Sequence, residues 1–241
     1  MPVAPGVYSI GQRKGGHVHA YLFDHDGDLT LVDTLFDTDA RLVLDCIRRV
    51  GRSPSDLKRI ALTHAHRSHL GGLARLRELS GALVYAHEWE ADIIAGERAA
   101  QPVSLRPDGP LATYPFRIGL ALGHPKHVPC PVDRSVSEGD EIGPLRVLHI
   151  PGHTPGHLAF HHGARDVLAV GDAVATWPRT DAGWPGFNLN ERQYRASLRR
   201  LAQLEATVVA VGHGDPLTEG AADRVHELAE GLPVSAASPR G

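Results

Sequence analysis

The chain has 241 residues, of which 42% are hydrophobic and 22% are charged, and its formal net charge is −3 with the histidines neutral. This length is ample for a buried core, and the composition is that of a globular domain rather than a disordered chain. No segment concentrates lysine or arginine, so nucleic acid is not expected as a partner. No apolar run approaches the ~20 residues that span a bilayer.

The two cysteines and the first residues bear on the cellular compartment. Cys46 and Cys130 lack Cys-x-x-Cys spacing, which argues against a disulfide framework and favours a reducing compartment. Residues 1–6 have neither the basic start nor the apolar core of a secretory signal. We therefore expect a soluble, cytoplasmic protein without a membrane partner, and the oligomeric state stays open.

The N-terminal segment has a pattern typical of a β-meander. Strands are predicted at residues 7–10, 19–23 and 29–34, with Asp26-Gly27 as the hairpin turn between the last two. Apolar residues at helical spacing, acidic residues near 37–39 and glycine at 51 predict a helix over residues 37–50. His17 and His19, near the start of the second strand, are expected to have surface or hydrogen-bonding roles.

Three histidines, His64, His66 and His69, fall within six positions directly after an apolar run at residues 60–62. A strand ending there and a helix over residues 70–79 would gather the three rings at one corner. Neutral imidazoles suit zinc, iron or manganese, and a rigid corner removes most of the ordering cost of a site. The alternative is a polar loop rich in histidine by chance, since the chain holds 16 histidines.

The second half of the chain supplies three more candidate ligands. His153 follows a predicted strand at residues 145–150, Asp172 ends an apolar run at 167–171, and His213 follows a predicted strand at 207–211. Each lies beside glycine, as expected where backbone passes close to a metal at a strand end. These residues favour the metal site over the chance cluster.

The remaining segments are strands, helices and loops without candidate ligands. Further strands are predicted at 83–86 and 158–161, helices at 191–204 and 219–232, and a disordered tail at 233–241. Periodicity fades between residues 96 and 131, in a segment rich in proline and glycine that is expected to be functional or disordered. Trp177, Trp184 and Phe187 follow Asp172, either as an apolar pocket wall or as helix-packing residues.

The histidine motif at residues 63–72 (THAHRSHLGG), the segment at 151–157 (PGHTPGH), Gly171-Asp172 and Gly212-His213-Gly214 resemble, in this order, the metallo-β-lactamase superfamily. The resemblance implies an α/β fold, the αββα four-layer sandwich, in a single domain over residues 1–232.

The same resemblance implies how the candidate ligands are shared. His64, His66 and His153 would hold a first metal, His69 and His213 a second, and Asp172 would bridge the two. Asp33, at the end of a predicted strand, would support a histidine near the metals. Its alternative role is that of a helix cap or turn residue.

Ser68 departs from the family pattern, which usually has aspartate at this position. A neutral hydroxyl is a poor ligand and a poor base, so we expect full affinity for the first metal and weakened or absent binding of the second. Asp172 and Ser68 are the predicted catalytic residues. Asp172 would anchor the metal and orient the attacking water, and Ser68 would donate a hydrogen bond.

The function expected from this resemblance is hydrolysis of a small-molecule ester, lactone, thioester or amide by metal-activated water. One or two Zn²⁺ ions are the expected cofactor, with iron or manganese as alternatives. Two other functions stay open. One is an oxidoreductase with a single iron, similar to persulfide dioxygenases, and the other is a nearly inactive relative that binds a small ligand.

Overall fold

The computed structural model describes residues 1–100, 111–122, 126–183 and 186–231. The predicted tail at 233–241 and Trp184 lie outside these residues. The strands are β1 (Pro2–Ala4), β2 (Val7–Gln12), β3 (Val18–His25), β4 (Asp28–Val32), β5 (Leu57–Ala61), β6 (Leu83–Ala86), β7 (Arg134–Ser135), β8 (Glu141–Ile142), β9 (Leu145–His149), β10 (Leu158–His162), β11 (Val167–Ala175) and β12 (Val208–His213).

The helices flank these strands in chain order. They are α1 (Lys14–His17), α2 (Arg41–Arg49), α3 (Arg67–Leu70), α4 (Leu73–Ser80), α5 (Glu88–Ile94), α6 (Tyr114–Ala121), α7 (Glu191–Ala202) and α8 (Ala221–Glu230).

One continuous path of strands runs through both halves of the chain, in the order β7-β6-β5-β4-β3-β12-β11-β10-β9-β8, and β2 also pairs with β3. The two halves are joined at β3 and β12 through a single residue pair, Val18 with His213. Such a short join lets the sheet curl, so that its two halves stack face to face.

The four layers follow from the two-residue period of the strands. On β3, Ala20 and Leu22 pack in one apolar cluster with α2 and α4, whereas Tyr21 and Phe23 pack in another, against β9, β10 and β11. Alternate residues of β11, in the second half of the chain, divide in the same way. One set packs in the cluster of Tyr21 and Phe23, between the two sheets, and the other set packs in a third cluster with α7 and α8. Helix, sheet, sheet and helix therefore stack as the predicted αββα sandwich.

Two predicted helices differ from those observed. The predicted helix at 37–50 begins only at Arg41, because Leu35 and Ala40 have left-handed backbone and the Asp37 carboxylate accepts hydrogen bonds from Gln12 and Lys14. The predicted helix at 70–79 is divided into α3 and α4 at Gly71-Gly72, and a side chain at Gly71 would overlap the backbone of Phe36.

The other predicted elements are found, with shifted bounds. Strand β11 runs on to Ala175, so Asp172 lies within the strand rather than after it. The segment between residues 96 and 131, in which periodicity fades, contains α6. Among the described residues, no helix combines the length and the apolar character that a membrane span requires.

Candidate metal centre

The first three histidines lie on the loop and helix that follow β5. β5 pairs in parallel with β4 on one side and β6 on the other, so the loop leaves from the middle of the sheet. His64 and His66 lie on this loop, and His69 lies on α3, with its ring centroid 4.5 Å from that of His64. All three side chains are buried.

The second half of the chain brings its candidate ligands close to these three histidines. His153 lies on the turn between β9 and β10, next to Gly152, which has a φ of 134° and leaves no room for a Cβ against the backbone of Tyr194. β11 and β12 are parallel neighbours, and they carry Asp172 and His213.

Three imidazole nitrogens and one carboxylate oxygen form a group that we call the first cluster. His66 Nδ1 lies 3.0 Å from His64 Nε2 and 3.1 Å from His153 Nε2. Asp172 Oδ2 lies 3.6 Å from His64 Nε2 and 3.5 Å from His153 Nε2. For metal–nitrogen bonds of about 2.05 Å, the edge of a tetrahedron is about 3.3 Å. The four spacings are close to this value, and all four ligand atoms lie within 4.8 Å of one another.

A second cluster shares the same carboxylate. Asp172 Oδ1 lies 3.2 Å from His69 Nε2, and Asp172 Oδ2 lies 3.4 Å from His213 Nε2. Asp172 is thus the residue common to both clusters.

Hydrogen bonds behind the rings fix which nitrogen carries the proton. His69 Nδ1 donates to Asp33 Oδ2 at 2.9 Å, and His213 Nδ1 donates to the carbonyl oxygen of Gly16 at 2.7 Å. His153 Nδ1 lies 3.3 Å from the side-chain oxygen of Asn188. In each case the bond at Nδ1 leaves Nε2 directed towards the cluster, which is how proteins orient imidazole for a metal.

Asp33 supports one histidine of each cluster, His69 directly and His64 through Thr63. Its carboxylate accepts from the backbone N–H of Thr63 at 2.9 Å and from the Thr63 hydroxyl at 2.8 Å, besides the bond from His69. The Thr63 oxygen is in turn 3.0 Å from His64 Nδ1. Of the two roles considered for Asp33, the structure therefore shows support of a histidine.

Burial and the nearby charges shift the pKa values of the ring nitrogens. Burial lowers the pKa of His66 to about 4 and the pKa values of His64 and His153 well below the usual range, so these rings are neutral at pH 7. Burial alone would also lower the pKa of His69, but the carboxylates of Asp172 and Asp33 raise it to about 10. Burial opposes ionisation of Asp172, yet His213, His69 and His64 lower its pKa further than burial raises it.

The donor set fits a divalent d-block cation. Asp172 Oδ1 and His69 Nε2 are buried 3.2 Å apart, and neither makes a hydrogen bond of good geometry; a shared cation would satisfy both atoms. Imidazole and carboxylate together suit zinc, iron and manganese, so the donors do not select among them.

Two residues that the sequence did not single out hold the ligand loops. The buried carboxylate of Glu90, on α5, accepts from Ala65 N–H at 3.1 Å, from the Thr154 hydroxyl at 2.6 Å and from Gly156 N–H at 3.0 Å. His157 packs with its ring centroid 5.0 Å from that of His64, and burial lowers its pKa to about 3. No local pattern marks Glu90, because its partners are far from it in sequence.

Among the predicted site residues, the structure brings together His64, His66, His69, His153, Asp172 and His213. Ser68 lies half-buried on α3, next to His69. Of the aromatic loop, Phe187 is buried with its ring 6.4 Å from that of His66, and Trp177 packs with Phe116.

The αββα sandwich, with histidine and aspartate side chains clustered where its strands end, identifies the class to which the protein belongs. The model of the metallo-beta-lactamase superfamily matches residues 13–213, and the chain belongs to that superfamily.

Known relatives agree with this assignment. The probable metallo-hydrolase YflN of Bacillus subtilis is 27% identical over 89% of this chain and 86% of its own length. A hydroxyacylglutathione hydrolase of Cereibacter sphaeroides is 35% identical over 65% of this chain, but this covers only 48% of the relative. The crystal structure of the metallo-beta-lactamase family protein TTHA1429 from Thermus thermophilus superposes with a TM-score of 0.67 at 28% identity, covering 95% of this chain and 80% of that one.

Proposed function

We propose that this protein hydrolyses a small-molecule ester, lactone, thioester or amide with water activated at the first cluster. The observation that carries the proposal is the convergence of four ligand atoms within 4.8 Å of one another. His64 and His153 lie within 3.6 Å of Asp172, and His66 lies within 3.1 Å of both histidines. The relatives named as metallo-hydrolases support hydrolysis as the reaction class. When bound there, a divalent cation lowers the pKa of a coordinated water towards ~7 and polarises a substrate carbonyl.

The side chains of the two clusters then have separate tasks. His64, His66 and His153 hold the cation of the first cluster as neutral ligands, and Zn²⁺ is the cation we propose. Asp172 belongs to both clusters, and we infer that its carboxylate accepts a hydrogen bond from the attacking water and orients it. The hydroxyl of Ser68 would donate a hydrogen bond but is a weak base, so we expect slow turnover and a weak second metal.

Apolar side chains lie beside the first cluster. The ring of Phe187 is 6.4 Å from that of His66, and Phe187 packs with Ala175, Phe116 and Trp177 in a small apolar cluster. Pockets for small molecules are mostly lined by such side chains. We infer that the acyl or leaving group binds against this wall while the scissile carbonyl faces the histidines.

A panel of substrates tests the hydrolase proposal. Zinc-reconstituted protein is incubated with lactones, thioesters and β-lactams, alongside Asp172→Asn and the matched exposed variant Asp223→Asn on α8. We expect metal-dependent turnover that Asp172→Asn loses and Asp223→Asn retains. Absence of turnover on every substrate, or equal turnover in both variants, would contradict the proposal.

The second cluster favours one other candidate function. His69, His213 and Asp172 are two histidines and a carboxylate, a donor set typical of non-haem iron that reacts with oxygen. An oxidoreductase acting on a persulfide would be identified by iron in the purified protein and by oxygen uptake with that substrate. If neither activity is found, Ser68→Asp distinguishes a weakened hydrolase, which would gain turnover, from a ligand-binding relative, which would not.

A further inference from the structure

A third group of possible metal ligands lies outside the two clusters and consists of His17, His19 and Asp215. Each of these residues offers one ligand atom, and the three atoms lie within 4.8 Å of one another. His19 lies on β3, His17 directly before it, and Asp215 follows β12. We call this group the third cluster.

The backbone holds the two segments of the third cluster together. The carbonyl oxygen of His17 accepts from Gly214 N–H at 2.8 Å, and the carbonyl oxygen of Asp215 accepts from the Thr176 hydroxyl at 2.7 Å. Gly15 and Gly16 have φ values of 78° and 87°, and His17 has a φ of 57°, which turns the chain sharply into β3. The three side chains are therefore brought together by the same pairing of β3 with β12 that joins the two halves of the sheet.

The rings are also oriented as ligands. His19 Nδ1 lies 2.7 Å from the Ser9 hydroxyl, which leaves Nε2 facing Asp215 Oδ1 at 3.8 Å. The ring of His17 stacks on Trp177, with centroids 6.2 Å apart and planes 21° apart. A hydrogen bond behind one ring and a stacking partner for the other reduce the freedom that a cation would have to remove.

We propose that His17, His19 and Asp215 form a separate binding site for a divalent d-block cation such as Zn²⁺. Two imidazoles and one carboxylate are the donors that such cations accept. The Asp215 side chain is 87% exposed, so the site is open to solvent and would complete its coordination with water. The proposal does not depend on the hydrolase function, since it uses none of the residues of the first two clusters.

Zinc titration of single variants tests the third cluster. Protein loaded with zinc is desalted and titrated with ZnCl₂ by calorimetry, as the native chain, His17→Ala and Asp215→Asn. The controls His226→Ala and Asp223→Asn remove the same groups from exposed positions on α8. Loss of a supporting residue alone weakens metal binding by about 10- to 100-fold, so loss of a ligand should weaken one zinc equivalent at least ~10-fold.

The outcomes separate this site from the others. We expect His17→Ala and Asp215→Asn to lose the same single equivalent, which both controls keep and which persists when Asp172→Asn disrupts the first two clusters. Zinc should also shift the imidazole nitrogen NMR signals of His17 and His19. Equal zinc binding in the native chain and the two cluster variants, or equal loss in the controls, would overturn the proposal.

Discussion

Replacing Glu90 with glutamine should weaken the first cluster without touching any proposed ligand. Glu90 Oε1 accepts from Thr154 and Gly156, on the loop of His153, and Oε2 accepts from Ala65, between His64 and His66. The carboxylate therefore fixes the distance between the two loops that supply the first cluster. Glutamine has the same shape but only one acceptor oxygen.

The size of the effect follows from the hydrogen bonds that glutamine cannot make. In its best orientation the amide oxygen keeps the two bonds to Thr154 and Gly156, and the buried Ala65 N–H loses its acceptor. A buried donor without an acceptor costs about 1–3 kcal/mol, which for a chain of this size lowers Tm by about 2–12 °C. As a supporting residue, Glu90 should also change zinc affinity at the first cluster by about 10- to 100-fold.

The assay compares Glu90→Gln with Glu88→Gln, an exposed carboxylate two residues earlier on α5. Both variants remove one negative charge from the first turn of the helix, so their difference reports the lost acceptor. Urea unfolding of metal-free protein gives the free energy, and competition with a chelator gives the zinc affinity. If the free energy falls while zinc affinity equals that of Glu88→Gln, Glu90 stabilises the fold only, and the positioning argument is refuted.

Further predictions concern the supporting carboxylate, the serine, the metal and one glycine. Asp33→Asn should lower zinc affinity at the second cluster by about 10- to 100-fold, measured by chelator competition, because the carboxylate that orients His69 is lost; an unchanged second affinity would contradict this. Ser68→Asp should raise the zinc content per chain and the turnover, measured by elemental analysis and kinetics, and no rise in zinc would show that the residue does not face the second cluster. The unfolding free energy of the metal-free protein should be about 2.7 kcal/mol lower than that of the protein in the presence of zinc at ~100 times its Kd. Circular dichroism should still show a folded chain without metal. Gly152→Ala should destabilise the protein by about 3 kcal/mol or more because of its φ and the contact with Tyr194, whereas Gly163→Ala, in open space, should not; equal midpoints in urea would contradict the steric argument.

The sequence was sufficient to predict the six clustered residues and most strands, because both depend on local patterns. His64, His66 and His69 are close in the chain, and His153 and His213 each follow an apolar strand. The αββα arrangement followed from the resemblance, and the alternation of apolar residues along β3 and β11 gives its physical cause.

Features that depend on distant contacts could not be predicted in this way. The bonds of Glu90 reach residues 25, 64 and 66 positions away, and nothing in its own segment indicates them. His19 and Asp215 likewise meet only because β3 pairs with β12. The helix at 37–50 was predicted too long because left-handed backbone at Leu35 and Ala40 cannot be read from apolar spacing.

The three apolar clusters that hold the layers together contain none of the residues of the metal centre. The apolar packing of the layers and the candidate ligand set thus use different side chains. A substitution at one of the candidate ligands would therefore remove no side chain from the packing that holds the four layers together.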